Sequence, residues 1–446
     1  MFPSSIVFLV LLFLGSAQAV VRRTTVFGRT NSLTERIARN GIGEWKLWQQ
    51  KRSKINRYSK RTLLQGHPQA VHDFDDANYV ANITIGTSDV PQVFQVLLDT
   101  GSANVWIPDK SCDGSKPADC SSFGCNGALT CLAMCPDPAC CDAPMAIRGN
   151  RRANHPSPKV AACSLKNKFD SAISSSYIPN GKSLRISYPN GAIEGFLGTD
   201  TITFGDPSTP NPLVVPKVTF GQASDILSSF DKLPYDGVLG LAFSSLAEEG
   251  ITPPFAEAVS QGLVDAPLFT VWLEHEGARE NTPGGVFTWG GIDTDNCGDV
   301  LGYAPLTTAT YFQFAVQSIS VGSFAPSQRW QMVSDSGASF LYVSADVYGQ
   351  VAKELGGQHN TDDTYSIDCD AVTPDLVLTV SGITMNIKTA NLIIPSNDNT
   401  CILAIASYDS YGFGAQWYLG APFIRQYCNI YDIGNQRMGF APSKQL

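Results

Sequence analysis

Two short segments, each with an Asp followed by a hydroxyl residue and a glycine, stand far apart in the 446-residue chain: Asp99-Thr100-Gly101 and Asp335-Ser336-Gly337. Two carboxyl groups within a few ångström of each other cannot both ionise readily, so such a pair shares one proton. The ionised member can take a proton from an attacking water while the protonated member hydrogen-bonds a carbonyl oxygen. Asp99 and Asp335 are therefore the predicted catalytic residues, with chemistry suited to a bond as resistant as an amide.

The residues that follow each Asp could hold such a pair together. Gly101 and Gly337 allow a sharp turn and a close approach of the opposite loop. Thr100 and Ser336 carry hydroxyls at matched places, which could hydrogen-bond across to the other loop. A titration at this site would belong to the pair and not to one residue.

Either tripeptide alone is weak evidence, because Asp and Gly are common in turns that have no chemistry. Here both tripeptides follow an apolar run, and each is followed downstream by an apolar run that ends in Leu-Gly, at Leu239-Gly240 and at Leu419-Gly420. The chain therefore contains two copies of one unit, and the duplication favours a catalytic pair over two unrelated turns.

The elements that must position these residues are mainly short β-strands. Apolar and β-branched runs are interrupted at short intervals by Gly, Pro, Asn and Asp, a pattern typical of a β-rich body. The predicted strands are 79–85, 93–98, 214–220, 268–273 and 312–321. The best helix candidates are 253–261 and 345–355.

A cysteine-rich insertion distinguishes the first copy from the second. Asp99 and Gly240 are 141 residues apart, whereas Asp335 and Gly420 are 85 apart. Residues 112–163 account for most of the difference and contain eight of the twelve cysteines. Close cysteine spacing can indicate zinc, but no histidine pattern joins these residues, so disulfides of open connectivity are favoured. We expect no metal and no cofactor.

The N-terminus has the pattern of a signal peptide. An apolar run at 6–14 is followed by Ala17-Gln18-Ala19, which predicts a signal peptide at 1–19. No later stretch reaches eighteen consecutive apolar residues, so no association with a membrane is expected. The even number of cysteines fits an oxidising compartment. We expect a secreted protein or one in a lysosomal or other vesicular lumen.

Charge is divided unevenly along the chain. Residues 20–67 contain twelve Lys and Arg and two Glu, whereas residues 68–446 contain 19 basic and 38 acidic residues. A basic arm could bind nucleic acid, but behind a signal peptide the nearer partner is the acidic body of the same chain. Residues 20–67 are therefore a predicted propeptide that inhibits its own chain, and no nucleic-acid partner is expected. Because acid would protonate the body's carboxylates and weaken the attraction, we hypothesise activation by acidification.

Several motifs resemble those of the pepsin family of aspartic proteases, from about Tyr79 to Pro442. Residues 99–108 (DTGSANVWIP) are similar to the first active-site segment of that family. Residues 186–188 with 195–200 resemble its flap hairpin, and 235–242 and 423–427 match further segments. The resemblance implies a mainly β, bilobal fold with two pseudo-twofold-related lobes, at 68–291 and 292–446, and the active site in the cleft between them. The cysteine-rich insert resembles one in nematode members of the family.

The resemblance also assigns roles to individual residues. Ser102 would hydrogen-bond the outer oxygen of Asp99, and Tyr188 would close over the substrate with Trp106 packed by the flap. Tyr235 and Leu97, with Tyr188 and Trp106, would line the central subsites. The implied activity is that of a monomeric aspartic endopeptidase that cleaves polypeptides near apolar residues. An inactive pepsin-fold binding or inhibitor protein is the alternative, but such homologues lose a catalytic Asp, an active-site Gly or the flap Tyr, and this chain keeps all of them.

Covalent features follow in part from the resemblance. Cys369 and Cys401 resemble the disulfide of the family's second lobe, and Cys297 and Cys428 are left over as a possible second pair or as free thiols. Asn82-Ile83-Thr84 is an N-glycosylation sequon, although it lies in a predicted strand.

Two substitutions in the active-site segments depart from the pepsin pattern. The flap reads Tyr188-Pro189-Asn190-Gly191, in which Asn190-Gly191 is a type I′ hairpin signal and Pro189 removes one backbone donor. Ala338 stands where the family most often has Thr. Without that hydroxyl, an ionised carboxylate has one donor fewer, which predicts a raised upper pKa of the pair and a less acid optimum.

Overall fold

The computed structural model describes residues 22–24, 71–112 and 163–445, apart from short gaps at 75, 189–190, 210, 227–229, 231–232, 278, 362, 396–400 and 409–413. The predicted signal peptide, most of the predicted propeptide and residues 113–162 of the insert lie outside these residues. Within the described ranges, no helix is long and apolar enough to cross a membrane.

The described chain is mainly β, as the sequence predicts. The strands up to Trp289 are β1 (Arg22–Thr24), β2 (Val71–Phe74), β3 (Asn78–Ile85), β4 (Val93–Asp99), β5 (Val105–Pro108), β6 (Ile178–Tyr188), β7 (Gly191–Phe204), β8 (Leu213–Ile226), β9 (Gly237–Gly240), β10 (Leu268–Leu273) and β11 (Glu280–Trp289). Those that follow are β12 (Gly302–Ala309), β13 (Phe312–Val316), β14 (Ser318–Ser320), β15 (Trp330–Ser334), β16 (Leu341–Ser344), β17 (Gln358–His359), β18 (Tyr365–Ile367), β19 (Leu376–Val380), β20 (Ile383–Ile387), β21 (Ile393–Pro395), β22 (Cys401–Leu403), β23 (Ile405–Tyr408), β24 (Trp417–Leu419), β25 (Tyr427–Asp432) and β26 (Arg437–Pro442).

Helices are short and few in the described ranges. They are α1 (Pro254–Ser260), α2 (Ala345–Glu354) and α3 (Ala421–Gln426), with single 3₁₀ turns at Ser171–Ile173, Ser244–Leu246, Glu248–Gly250 and Thr389–Asn391. The two predicted helices agree with α1 and α2 to within one residue at each end. The predicted strand 312–321 is in fact two strands, because the chain leaves β15 for β19 at Gln317, whose N–H donates to Thr379 O at 2.8 Å.

The duplication seen in the sequence is present in the strand pairing. In the first copy, β4 lies parallel to β9, and β5 pairs antiparallel with β9 and parallel with β8. In the second copy, β15 lies parallel to β24, and β16 pairs antiparallel with β24 and parallel with β23. Each copy therefore delivers its Asp-hydroxyl-Gly loop from the same arrangement of strands, which confirms the predicted bilobal β fold.

A shared sheet joins the two copies beneath these loops. It runs from β11 through β10, β25 and β26 to β12, and each neighbouring pair is antiparallel. Phe269 on β10 stacks on Tyr431 of β25, with ring centroids 4.7 Å apart and planes within 9°. Because both rings are fully buried, the two copies share one apolar core and cannot separate without exposing it.

All six cysteines in the described ranges form disulfides. Cys112 bonds to Cys163, Cys297 to Cys428, and Cys369 to Cys401. The two pairings considered for the second copy are thus both present, and the free-thiol alternative for Cys297 and Cys428 is wrong. The Cys112–Cys163 bond closes the insert at its base.

Glycine at the two Leu-Gly positions has a steric cause. A methyl group on Gly240 would overlap the backbone of Ala103, and one on Gly420 would overlap the carbonyl oxygens of Ala338 and Phe340. Each glycine therefore lets its strand lie directly against the loop that carries the Asp.

We expect the Gly420→Ala variant to be less stable than the parent by about 1–3 kcal/mol, because the loop after Asp335 must move to relieve the overlap. The midpoint of urea unfolding measures this loss. Gly298→Ala is the matched control, since its methyl group would lie 3.4 Å from the nearest atom, in Pro442. Equal midpoints for the two variants would contradict the steric explanation.

Candidate active site

Asp99 and Asp335 lie side by side at the centre of the molecule. Asp99 is the last residue of β4, and Asp335 follows β15 directly. A methyl group on Gly101 would overlap the carboxylate of Asp335, and one on Gly337 would overlap that of Asp99. Each glycine thus borders the opposite carboxyl group, and any larger residue would force the pair apart.

Crossed hydrogen bonds hold the two loops in register. The N–H of Ser336 donates to Thr100 Oγ1 at 2.8 Å, and the N–H of Thr100 donates to Ser336 Oγ at 3.0 Å. Each hydroxyl in turn donates to the carbonyl oxygen of the residue just before the opposite Asp. Thr100 Oγ1 donates to Ser334 O at 3.1 Å, and Ser336 Oγ donates to Leu98 O at 2.7 Å. All four groups are buried, so losing one hydroxyl would leave buried polar atoms without partners.

The surroundings of the two carboxyl groups differ. Asp99 accepts hydrogen bonds from Ser102 Oγ at 2.5 Å and from the N–H of Gly101 at 2.8 Å. Asp335 accepts from the N–H of Gly337 at 2.9 Å, while the neighbouring Ala338 presents a methyl group with no side-chain donor.

These surroundings separate the two carboxyl groups in acidity. Burial raises the pKa of Asp99, although the Ser102 hydroxyl and the Gly101 N–H oppose the rise. Burial and then the charge of Asp99 raise the pKa of Asp335 well above its usual range. The donors on Asp99 therefore favour the ionised form of that carboxyl group, whereas burial and the charge of Asp99 disfavour it at Asp335.

A long hairpin formed by β6 and β7 brings Tyr188 to the cleft. Tyr188 pairs with Gly191, so residues 189 and 190 join the two strands. Gly191, the second residue of the predicted Asn190-Gly191 turn, is the first residue of β7. Pro189, the predicted departure at the hairpin tip, lies outside the described residues.

Trp106 and Phe230 hold Tyr188 in place from behind. Trp106 Nε1 donates to Tyr188 Oη at 3.0 Å. The Phe230 ring makes edge-to-face contacts with Trp106 and Tyr188, with centroids 5.5 and 5.6 Å apart. Trp106 is only 1% exposed and packs against Tyr188, as the family resemblance implies, but it is not among the residues that line the cleft, where it was also expected.

A cleft of about 450 Å³ opens over the two carboxyl groups. The lining residues are Leu97, Asp99, Gly101, Tyr188, Phe230, Tyr235, Val238, Tyr311, Asp335, Gly337, Ala338, Tyr342, Ser407, Tyr408 and Tyr418. Sequence reasoning did not identify Phe230, Val238, Tyr311, Tyr342, Ser407, Tyr408 and Tyr418. Two of these could have been found from the duplication, because Val238 and Tyr418 each precede a Leu-Gly.

Tyr235 is positioned by the segment that follows the cysteine-rich insert. The next residue, Asp236, accepts from the N–H of Asn167 at 2.8 Å, from Asn167 Nδ2 at 2.9 Å and from the N–H of Gln95 at 2.9 Å. Lys166 Nζ donates to Tyr235 O at 2.7 Å. The segment after the insert is therefore bonded to Tyr235 and Asp236, and Asp236 connects it to the strand that ends in Asp99.

Asn82, the residue of the sequon, lies on β3 away from the cleft. Its Nδ2, the atom that a glycan would occupy, donates to Asp206 Oδ2 at 2.9 Å. The side chain is half-buried, and its strand is paired with β4. In the folded chain, the side-chain amide of Asn82 is therefore poorly accessible to a glycosylating enzyme.

The described part of the chain contains no group of three or more His, Cys, Asp or Glu residues with a geometry for metal binding.

Comparison with known proteins identifies this arrangement. Residues 78–443 match the family model described as eukaryotic aspartyl protease. The chain is 39% identical to aspartic protease 6 of Caenorhabditis elegans over 98% of this chain and 99% of that protein, and 39% identical to aspartic protease 2 of Necator americanus over 85% and 86%. It is 28% identical to pepsin A of Rhinolophus ferrumequinum over 93% and 94%. The chain belongs to the eukaryotic aspartyl protease family.

Proposed function

We propose that Asp99 and Asp335 are the catalytic pair of this aspartic endopeptidase, with Asp99 as the general base and Asp335 as the general acid. The observation that carries the proposal is the crossed bonding of Thr100 and Ser336, which holds two buried carboxyl groups side by side at the floor of a cleft. The donors on Asp99 support this division of roles, as does the pKa of Asp335, which burial and the charge of Asp99 raise.

In the proposed reaction, a water molecule bound between the carboxyl groups attacks the carbonyl carbon of a peptide bond. Asp99 takes a proton from that water, and Asp335 gives its proton to the carbonyl oxygen, so a neutral gem-diol forms. The C–N bond then breaks as the proton on Asp99 passes to the amine nitrogen. Asp335 recovers a proton from the diol, which leaves a carboxylic acid and restores the pair.

The cleft supports a preference for apolar side chains on one side. Leu97, Phe230 and Val238 form an apolar wall in the first copy. Tyr188 lies over this wall at the end of β6, where closure of the hairpin would exclude water from the reacting groups. Polypeptides are the substrates, and we expect cleavage next to a large apolar residue.

We propose that the chain is made as a zymogen. Residues 22–24 of the predicted propeptide form β1, which pairs antiparallel with residues 287–289 of β11 in the shared sheet. Residues 280–285 of the same strand, β11, pair antiparallel with β2. Backbone pairing and the opposite charges of the two regions support a propeptide that is folded onto its own enzyme. The predicted signal peptide and the disulfides support a secreted or lysosomal location.

Replacing either carboxyl group by an amide should abolish proteolysis. In Asp99→Asn and Asp335→Asn, kcat for cleavage of denatured globin at acid pH should fall by about 10²–10⁴-fold, because a group that transfers protons is lost. Asp170→Asn is the matched control, since Asp170 lies outside the cleft and pairs with Lys110. Retention of activity in a folded Asp99→Asn protein would refute the assignment.

A hydroxyl at position 338 should make the enzyme more acidophilic. In Ala338→Thr, a donor to ionised Asp335 lowers the upper pKa of the pair, so the alkaline limb of the pH–rate profile should move to lower pH by about 0.5–1 unit. Ala338→Val adds similar bulk without a donor and should leave that limb in place. Superimposable profiles for Ala338→Thr and the parent would contradict the role of this residue.

Acid should convert the precursor to a shorter form. Purified precursor held at acid pH should lose its basic N-terminal segment, because protonated carboxylates attract it less. Electrophoresis and N-terminal sequencing measure the conversion, and the same precursor at neutral pH is the control. The Asp335→Asn precursor shows whether the chain cuts itself. Absence of a shorter species from the parent at acid pH would exclude activation by acidification.

A further inference from the structure

The wall of the cleft formed by the second copy carries four tyrosines. Along β16 and β24, residues alternate between buried and partly exposed, so Tyr342 and Tyr418 face the cleft while Leu341, Val343, Trp417 and Leu419 face the core. Tyr342 and Tyr418 are also direct cross-strand partners. Tyr408 ends β23 and Tyr311 precedes β13. We call these four residues the tyrosine wall.

The corresponding positions of the first copy have no free hydroxyl. Counting from each Asp, Trp106 occupies the place of Tyr342, and counting from each Leu-Gly, Val238 occupies the place of Tyr418. Trp106 and Val238 are likewise cross-strand partners. Trp106 is buried and donates its single side-chain N–H to Tyr188 Oη, and Val238 is aliphatic. At these two matched positions the scaffold therefore presents no hydroxyl in the first copy and two tyrosine hydroxyls in the second.

The hydroxyls of the tyrosine wall retain hydrogen-bonding capacity. Tyr408 Oη and Tyr418 Oη lie 3.4 Å apart, which is long for an O–H···O bond. With the residues that the structure describes, neither Tyr311 nor Tyr342 makes a side-chain hydrogen bond through its hydroxyl. The rings of Tyr408 and Tyr311 both lie edge-to-face with Tyr418, at 4.9 and 6.4 Å. The wall thus combines ring faces with phenol groups that can donate or accept.

The electrostatic environment of the tyrosine wall favours a positively charged side chain of the substrate. Burial raises the pKa of Tyr342 and of Tyr418; the charge of Asp335 adds to the rise at Tyr342, and the hydroxyl of Tyr408 adds to it at Tyr418, so the phenols stay neutral. Among the described residues that line the cleft, none is Lys, Arg or His. The shared charge of the catalytic pair and the negative faces of the rings therefore act without a protein cation to balance them.

We infer that the tyrosine wall selects a long hydrogen-bonding side chain of the substrate, with arginine the best fit. A guanidinium group offers five donors in a plane that can stack on phenol rings. An aliphatic side chain in the same place would bury the hydroxyls without partners, and sites built to hydrogen-bond reject such analogues strongly. The preferred substrate is thus a polypeptide with an apolar residue against the first wall and an arginine against the tyrosine wall. This inference rests on the proposed catalytic pair.

The test uses activated enzyme and peptides that vary one position at a time on each side of the cleaved bond among arginine, glutamine and norleucine. At the position that faces the wall, kcat/KM should be about tenfold higher for arginine and glutamine than for norleucine. In the triple variant Tyr342→Phe, Tyr408→Phe, Tyr418→Phe, the advantage of glutamine should vanish, while arginine keeps part of its advantage through ring stacking. Tyr365→Phe, which lies outside the cleft, is the matched control and should keep the parent's ratios.

The single variant Tyr342→Phe provides the same comparison with less disturbance, should the triple variant unfold. Equal kcat/KM values for the three side chains in the parent, or unchanged ratios in Tyr342→Phe and in the triple variant, would overturn the inference. Such a result leaves the loss of activity in Asp99→Asn intact. Conversely, full cleavage of all peptides by Asp99→Asn would refute both the proposed catalytic pair and this inference.

Discussion

The crossed hydrogen bonds between Thr100 and Ser336 are the constraint on which the site depends. They join loops that are 236 residues apart in the chain, and they satisfy buried donors and acceptors that would otherwise destabilise the fold. Two carboxyl groups repel each other once both are charged, so their proximity must be imposed from outside the pair. The repeated strand units, the shared sheet and the glycines at 101 and 337 all serve to bring these loops together.

A symmetric scaffold here supports asymmetric chemistry. Ser102 donates to Asp99, whereas the corresponding residue of the second copy, Ala338, has no donor to offer. The two carboxyl groups therefore differ in the donors that favour their ionised forms. The cleft walls differ in the same way, since Val238 and Tyr418 occupy matched positions. Because duplicated strands preserve geometry but not side chains, each copy could acquire a separate task.

The cysteine-rich insert is tied to the cleft at its base. The Cys112–Cys163 disulfide closes that base, and Lys168 Nζ donates to Cys112 O. From the same segment, Lys166 bonds to the backbone of Tyr235, and Asn167 bonds to Asp236. The two ends of the insertion are therefore bonded to each other, and the segment that follows it is bonded to the chain beside Tyr235.

The sequence by itself determined the catalytic candidates, the duplication and the β class, because Asp-hydroxyl-Gly, Leu-Gly and short apolar runs are local patterns whose spacing can be read directly. The family resemblance also implied the Cys369–Cys401 disulfide, whereas the structure decided that Cys297 and Cys428 are paired. Only the tertiary structure decided that Trp106 is buried and does not line the cleft, that Phe230 contacts both Trp106 and Tyr188, and that four tyrosines share one wall. Those relations depend on strands that are distant in the chain and on which face of each strand meets the cleft. A single sequence carries no record of such pairings until the strands are assembled.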